Sequence, residues 1–209
     1  MTPKTILELM DARLDHPERP AHQPARGDGD LNGYSAPSGR PLKQAAVLAP
    51  LILHGGPPRF LFTLRAEHLT KHAGQISFPG GRREPGESLT ETALRETQEE
   101  IGIDPEYIEI LGCFDPYETV TAFQVTPFVG VIKPGYTVTP DHQEVSEVFE
   151  TPFDFLMDAS NHERHEREFR GQVRRFWAMP YEDRYIWGAT AGMLKALHDR
   201  LFGDVEWRD

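Results

Sequence analysis

The sequence predicts an α/β domain built on a mixed β-sheet. A length of 209 residues suits one domain with a substantial core. Apolar, β-branched and aromatic runs alternate with segments of helical period, and they do so without an internal repeat. In order, residues 3–15 place Ile6, Leu7, Leu9, Met10 and Leu14 near helical spacing, which predicts a short helix. From His16 to Pro41 the chain is rich in Pro, Gly, Asp and Arg and reads as an extended surface segment. AAVLAPLIL (45–53) and RFLFTLRA (59–66) read as two strands joined across the break HGGPP. A loop from Glu67 to about Ser77 leads into a tight turn, Pro79-Gly80-Gly81, and then into a helix stopped by Gly102. YIEILGCF (107–114), FQVTPFVGVI (123–132) and EVSEVFETP (144–152) read as strands, the last entering a helical stretch from Phe153 to Met157. A polar hairpin or loop spans 158–171, VRRFWAMP (173–180) reads as a strand, and Tyr185 to Phe202 as a terminal helix. The expected organisation is an N-terminal helix and Pro/Gly-rich segment (1–42), the folded domain (43–203) and a tail (204–209).

Composition excludes several classes of function. Twenty-two Lys and Arg against 33 Asp and Glu give a net charge of −11, a field that repels nucleic acid but leaves room for a small anion in a locally cationic cleft. No apolar run approaches the roughly 20 residues needed to span a bilayer, so no membrane partner is expected. The start MTPKTILELM lacks the basic and apolar regions of a secretory signal, and a single cysteine, Cys113, fits a reducing compartment. The cytoplasm is the expected location.

The segment from Gly80 to Ile103 carries the chemistry. Ser88-Leu89-Thr90-Glu91 is a capping box, and Gly102 supplies the left-handed stop, so the helix is bounded at about 89–101. At about 100° per residue, with Glu96 at zero, Glu100 lies near 40° and Glu99 near 300°, which puts the three carboxylates on one arc. Thr90, Ala93, Leu94, Thr97 and Ile101 fall between about 60° and 160°, the expected packing face. An acidic helix face is commonly no more than solvated surface. Here the like charges repel at i and i+4 and oppose the helix dipole near its C-terminus, a conflict that a divalent cation removes.

The same stretch resembles the signature of the Nudix hydrolases, G-x5-E-x7-R-E-U-x-E-E-x-G-U, with U a bulky apolar residue. Gly81, Glu87, Arg95, Glu96, Glu99, Glu100, Gly102 and Ile103 stand at its positions, and Thr97 alone replaces the usual larger aliphatic. The resemblance implies a Nudix-type α/β/α sandwich in which Glu96, Glu99 and Glu100 hold Mg²⁺ or Mn²⁺. A carbonyl at Gly80 or Gly81 would complete the metal shell. Arg95 would orient the cluster by pairing with Glu87 or Glu99. Water would attack phosphorus and a carboxylate would take its proton.

Upstream, LFTLRAEHLTKHAGQISFPGG (61–81) resembles a pattern of the coenzyme A diphosphatase branch of that family. Leu61, Thr63, Arg65, Ala66, Gly74, Phe78, Pro79, Gly80 and Gly81 fit it, while Thr70 replaces an arginine beside Lys71. IWGATAGML (186–194) resembles the end of the same branch. The implied substrate is a small nucleotide, coenzyme A or an acyl or oxidised derivative, cut to 3′-phospho-AMP and 4′-phosphopantetheine. Arg65, Lys71, His72 and Gln75 are the expected substrate contacts, since cationic groups suit its several phosphates, with a strand-edge salt bridge the alternative for Arg65 and a loop hydrogen bond that for His72. Another nucleoside diphosphate such as ADP-ribose or NADH is the alternative substrate, and a non-catalytic nucleotide-binding regulator the alternative class. Related enzymes draw an extra ligand or the base from a distant loop, for which Glu144 is the choice over Glu147. His162-x-x-His165 lacks further ligands at zinc spacing and reads as part of a solvated loop. Phe114, Tyr117, Phe123, Phe176 and Trp177 could stack on adenine or line the pantetheine channel, though aromatics at such spacings are more often core.

Overall fold

The computed structural model describes residues 1–19, 26–33, 41–69, 73–169 and 171–203. The elements run α1 (Pro3–Arg13), β1 (Arg26–Gly27), β2 (Lys43–Ile52), β3 (Arg59–Arg65), β4 (Ile76–Ser77), β5 (Gly80–Arg82), α2 (Leu89–Ile101), β6 (Ile108–Cys113) and β7 (Tyr117–Glu118). They continue with β8 (Phe123–Ile132), β9 (Val145–Pro152), α3 (Phe153–Leu156), β10 (Glu163–Phe169), β11 (Gln172–Tyr181), β12 (Arg184–Trp187) and α4 (Ala189–Phe202). Among the described residues the strands form a nine-stranded mixed sheet and a separate three-stranded sheet, β10-β11-β12.

β2 organises the larger sheet. It pairs in parallel with β8 along its whole length, antiparallel with β5, and touches β3 only through Leu51↔Phe60 and Ile52↔Arg59. β3 continues instead into β9, with seven paired positions and a bulge at Leu64/Arg65. Both central strands are apolar on both faces, as strands covered on two sides must be. Ala45, Ala49 and Leu51 of β2 share one core with Ile6 and Met10 of α1 and Leu194, Leu197 and Leu201 of α4. Ala46, Leu48 and Ile52 share the other with Ala93 and Ile101 of α2. The strand period of two thus divides the molecule into helix, sheet and helix layers, the α/β/α sandwich that the sequence predicts.

Several boundaries differ from expectation. Pro79-Gly80-Gly81 is no mere turn, since Gly80–Arg82 forms β5 against Ala45, Ala46 and Val47. Part of the segment read as extended surface is strand, with Arg26 and Gly27 pairing to Tyr117 and Glu118. Within the stretch read as a polar hairpin or loop, 163–169 is the hairpin strand β10 rather than a solvated loop, and residues 185–187, assigned to the terminal helix, belong to β12. His162 is half-buried rather than solvated; its Nε2 lies 2.8 Å from the Leu156 carbonyl oxygen and its ring packs on His198.

Candidate active site

The helix α2 is fixed at both ends without help from a ligand. Ser88 Oγ accepts the Glu91 backbone N–H at 3.1 Å, and Glu91 Oε2 accepts the Ser88 N–H at 2.7 Å, completing the capping box. Gly102 at φ 72° ends the helix in the left-handed region, and a Cβ there would strike Thr139. The buried positions are Thr92, Ala93, Thr97, Glu100 and Ile101, so the packing face is rotated relative to the expected one. Glu100 sits inside the seam rather than at its edge, and Thr90 and Leu94 are only half-buried. Thr97 satisfies its hydroxyl by donating to the Ala93 carbonyl at 2.7 Å, which lets a polar side chain occupy an apolar position.

Arg95 is the hub of the cluster. Its Nε donates to Glu87 Oε1 at 2.6 Å, its Nη1 to Glu96 Oε1 and Glu99 Oε2 at 2.9 Å each, and its Nη2 to Glu87 Oε2 and the Arg82 carbonyl. Glu87 receives further donors from Thr92 Oγ1 and the Glu84 amide, and with Arg95 these hold its carboxyl down at about 2. Glu96 lies directly over Gly81, where any Cβ would collide with its carboxylate. Burial raises the Glu96 carboxyl above its ordinary range. Glu100 is 6% exposed; desolvation, followed by the charge of Glu96, pushes its carboxyl up to about 8. It keeps two positive contacts, the Gly80 backbone N–H at 3.4 Å and Arg65 Nη1 at 3.8 Å.

Arg65 also reaches the far side of the cleft. Its Nη2 is 3.7 Å from Glu144 Oε2, so one guanidinium at the end of β3 links the helix cluster to the loop before β9. Glu144 is half-exposed, and its carbonyl accepts the Ala66 N–H at 2.8 Å. Glu147, the other acid considered there, is held by both Nη atoms of Arg184, at 2.6 and 2.7 Å.

Among the described residues no group of three or more His, Cys, Asp or Glu side chains converges closely enough to hold a metal ion. The cause is visible: Arg95 draws Glu96 and Glu99 to itself while Glu100 turns beneath Gly80. The donor chemistry nevertheless fits a hard cation. The carboxylate oxygens are of the kind such ions prefer, and Glu100 is buried beside the like charge of Glu96, its carboxyl pushed up to about 8.

A sequence profile of the Nudix domain matches residues 42–173. The chain belongs to the Nudix family. It is 42% identical over 156 residues to an uncharacterized Nudix hydrolase, NudL, of Enterobacter sp. (strain 638), covering 74% of this chain and 81% of that one. It is 41% identical over 165 residues to a protein of the same name from Pectobacterium atrosepticum, covering 77% and 85%. Among solved structures it is similar to a Caenorhabditis elegans Ap4A hydrolase in a binary complex, at TM-score 0.47 and 23% identity over 53% of this chain and 80% of that one. As a Nudix hydrolase the chain is an enzyme acting on nucleoside diphosphate derivatives, in a family that uses divalent metal cations. No helix among the described residues is long and apolar enough to cross a membrane.

Of the residues singled out from sequence, the fold brings Gly80, Gly81, Glu87, Arg95, Glu96, Glu99, Glu100, Arg65 and Glu144 together around the Nudix helix. Gly102 serves the same helix from its C-terminus. Gln75 is adjacent through its carbonyl, which accepts the Arg65 N–H at 3.0 Å. Lys71 and His72 lie outside the described residues. Sequence reasoning missed Thr92, which props Glu87, and the amide of Gly80 as a donor to Glu100. The i, i+5 spacing of Glu87 and Thr92 across a helix start was the available signal for the first.

Proposed function

We propose that this Nudix hydrolase cuts the diphosphate bond of coenzyme A, and of its acyl or oxidised forms, giving 3′-phospho-AMP and 4′-phosphopantetheine or its derivative. The observation that carries the reading is the linked set of carboxylates: three glutamates on one helix, oriented by Arg95 and joined through Arg65 to Glu144. Glu96, Glu99 and Glu100, with a backbone carbonyl at Gly80, would hold Mg²⁺ or Mn²⁺, which supplies charge neutralisation at phosphorus and a more acidic water. Glu144 accepts the proton of the attacking water, whose oxygen bonds to phosphorus as the bridging P–O bond breaks. Arg65, Lys71, His72 and Gln75 bind the phosphate groups. Arg95 stays paired with Glu87 and keeps the helix acids in place. The catalytic unit spans residues 43–203, braced by α1, whose Ile6 and Met10 enter its core.

The coenzyme A assignment is supported by Leu61, Thr63, Arg65, Ala66, Gly74 and Phe78 through Gly81, and by IWGATAGML in β12 and α4. Pure protein with Mg²⁺ or Mn²⁺, given coenzyme A, ADP-ribose and NADH side by side, tests it. Coenzyme A should show the highest kcat/KM. Equal or better turnover of ADP-ribose would remove the assignment and leave the diphosphatase.

A further inference from the structure

The two faces of the three-stranded sheet are covered unequally: on the outer one Ala178 is buried, while Tyr185 stays open. Met179 and Ile186 point into the core shared with α4. By strand alternation, the residues between them point the other way. On that outer face the register sets His165 beside Phe176, Arg167 beside Arg174, and Trp187 beside Ala178. The rings form a connected cradle: Phe176 and Trp187 centroids are 5.2 Å apart, His165 and Tyr185 5.7 Å, and Tyr185 and Trp187 6.4 Å at an interplanar angle of 28°. They bound a cavity lined by His165, Glu166, Arg167, Phe176, Tyr185 and Trp187. Tyr185 is 40% exposed, a large aromatic left open to solvent.

Two further features give this cavity a polarity. A hydrogen-bond chain runs Glu163–His165–Tyr185, with Nε2 to Glu163 Oε2 and Nδ1 to the Tyr185 hydroxyl both at 2.6 Å, which fixes the imidazole and phenol in place. At the rim, Arg167 stands directly opposite Arg174 on the same face. Arg174 also faces the carboxylate of Asp28, whose pKa its charge lowers, whereas Arg167 makes no ion pair or hydrogen bond among the described residues and is left to meet an anion.

We propose that this outer face is a second nucleotide site, separate from the Nudix helix, which takes a nucleoside monophosphate with its base against Tyr185 and Trp187 and its phosphate at Arg167. Aromatic side chains stack bases of any identity, and arginine is the preferred partner of phosphate. None of these residues belongs to the Nudix signature, and Phe176, Tyr185 and Trp187 lie beyond the matched domain, which ends at residue 173. The site does not depend on coenzyme A being the substrate.

Titration calorimetry of the full chain in EDTA with AMP, adenosine and ribose 5-phosphate tests the proposal. AMP should bind, and each fragment should bind at least about tenfold more weakly, because each lacks one of the two recognised groups. Arg167→Glu and, independently, Tyr185→Leu should each weaken AMP by about tenfold or more, while Glu99→Gln leaves AMP binding unchanged. Neither outer-face substitution should alter kcat. Absence of AMP binding overturns the proposal. So does AMP binding lost in Glu99→Gln but kept in Arg167→Glu, which puts the nucleotide in the catalytic cleft. Self-association that Arg167→Glu or Tyr185→Leu abolishes, with AMP binding unaffected by either, overturns it in favour of a second copy of the chain.

Discussion

Replacing Glu100 by Gln should make the metal-free protein more stable and at the same time weaken its response to metal. In the fold, Glu100 holds its proton up to about pH 8, whereas an unhindered glutamate releases it near 4.5. A group whose folded pKa is raised contributes its full stability below the unfolded value and loses it as pH climbs toward the folded one. The carboxyl is only 6% exposed, so solvent screens the penalty little. At about 1.4 kcal/mol per pH unit, keeping Glu100 protonated while the unfolded chain ionises costs the fold roughly 3 kcal/mol between pH 4.5 and 7. A glutamine of the same shape has no such charge. Thermal melts in EDTA at pH 5 and pH 8, for wild type and Glu100→Gln, read the effect as a difference of differences, so other titrating groups cancel. The variant should gain about 6 to 12 °C on wild type between the two pH values. Adding Mn²⁺ at pH 8 should then raise the wild-type Tm and move the variant far less. Parallel pH profiles for the two proteins would refute the argument that Glu100 is a buried, proton-holding ligand.

Glu99→Gln should lower kcat by at least roughly 10²-fold, the scale for loss of acid–base assistance or a key metal contact, and unchanged turnover would remove Glu99 from the mechanism. Arg95→Lys should reduce apparent metal affinity about 10- to 100-fold in Mg²⁺ titrations of activity, because one ammonium cannot serve Glu87, Glu96 and Glu99 together. Gly81→Ala should fold yet lose activity, since its methyl group occupies the space of the Glu96 carboxylate; activity near wild type would show that Glu96 can move without consequence. Ser88→Ala should cost about 1 kcal/mol in urea denaturation by opening the capping box, with little change in KM.

The helix was the most legible part of the molecule. Ser88, Glu91 and Gly102 define its ends through local chemistry that needs no tertiary partner, and its bounds, Leu89–Ile101, follow from them. The strand 123–132 was equally readable, because a strand covered on both faces has a long apolar run. The rotation of the helix was not readable. Which of Leu94 or Glu100 enters the seam depends on where β5 and Gly80 lie, and three-residue β5 carries no period of its own. Strand β10 was left open between a polar hairpin and a loop for a related reason: Glu163, Arg164, Glu166, Arg167 and Glu168 put charge on both faces, so no alternation marked it, and only its register with β11 defines it. Arg65 stood out in the sequence as a candidate cation, but its pairing with Glu100 and Glu144 required β3 and β9 to be neighbours.

The fastening of α2 by its own cap and by the Glu87–Arg95 pair bears on how quickly cations trade places. Proteins whose fold is created by their ion release it only by unfolding, so exchange is as slow as that opening. Here the helix is anchored at Ser88 and Gly102 and buckled at Glu87 by contacts that involve no ion. If Glu99 and Glu100 hold the cation as proposed, its loss would return Glu99 to Arg95 and a proton to Glu100. The traffic of ions would then be paced by side-chain rotation and water exchange, so such a protein would take whichever suitable divalent ion its surroundings supply.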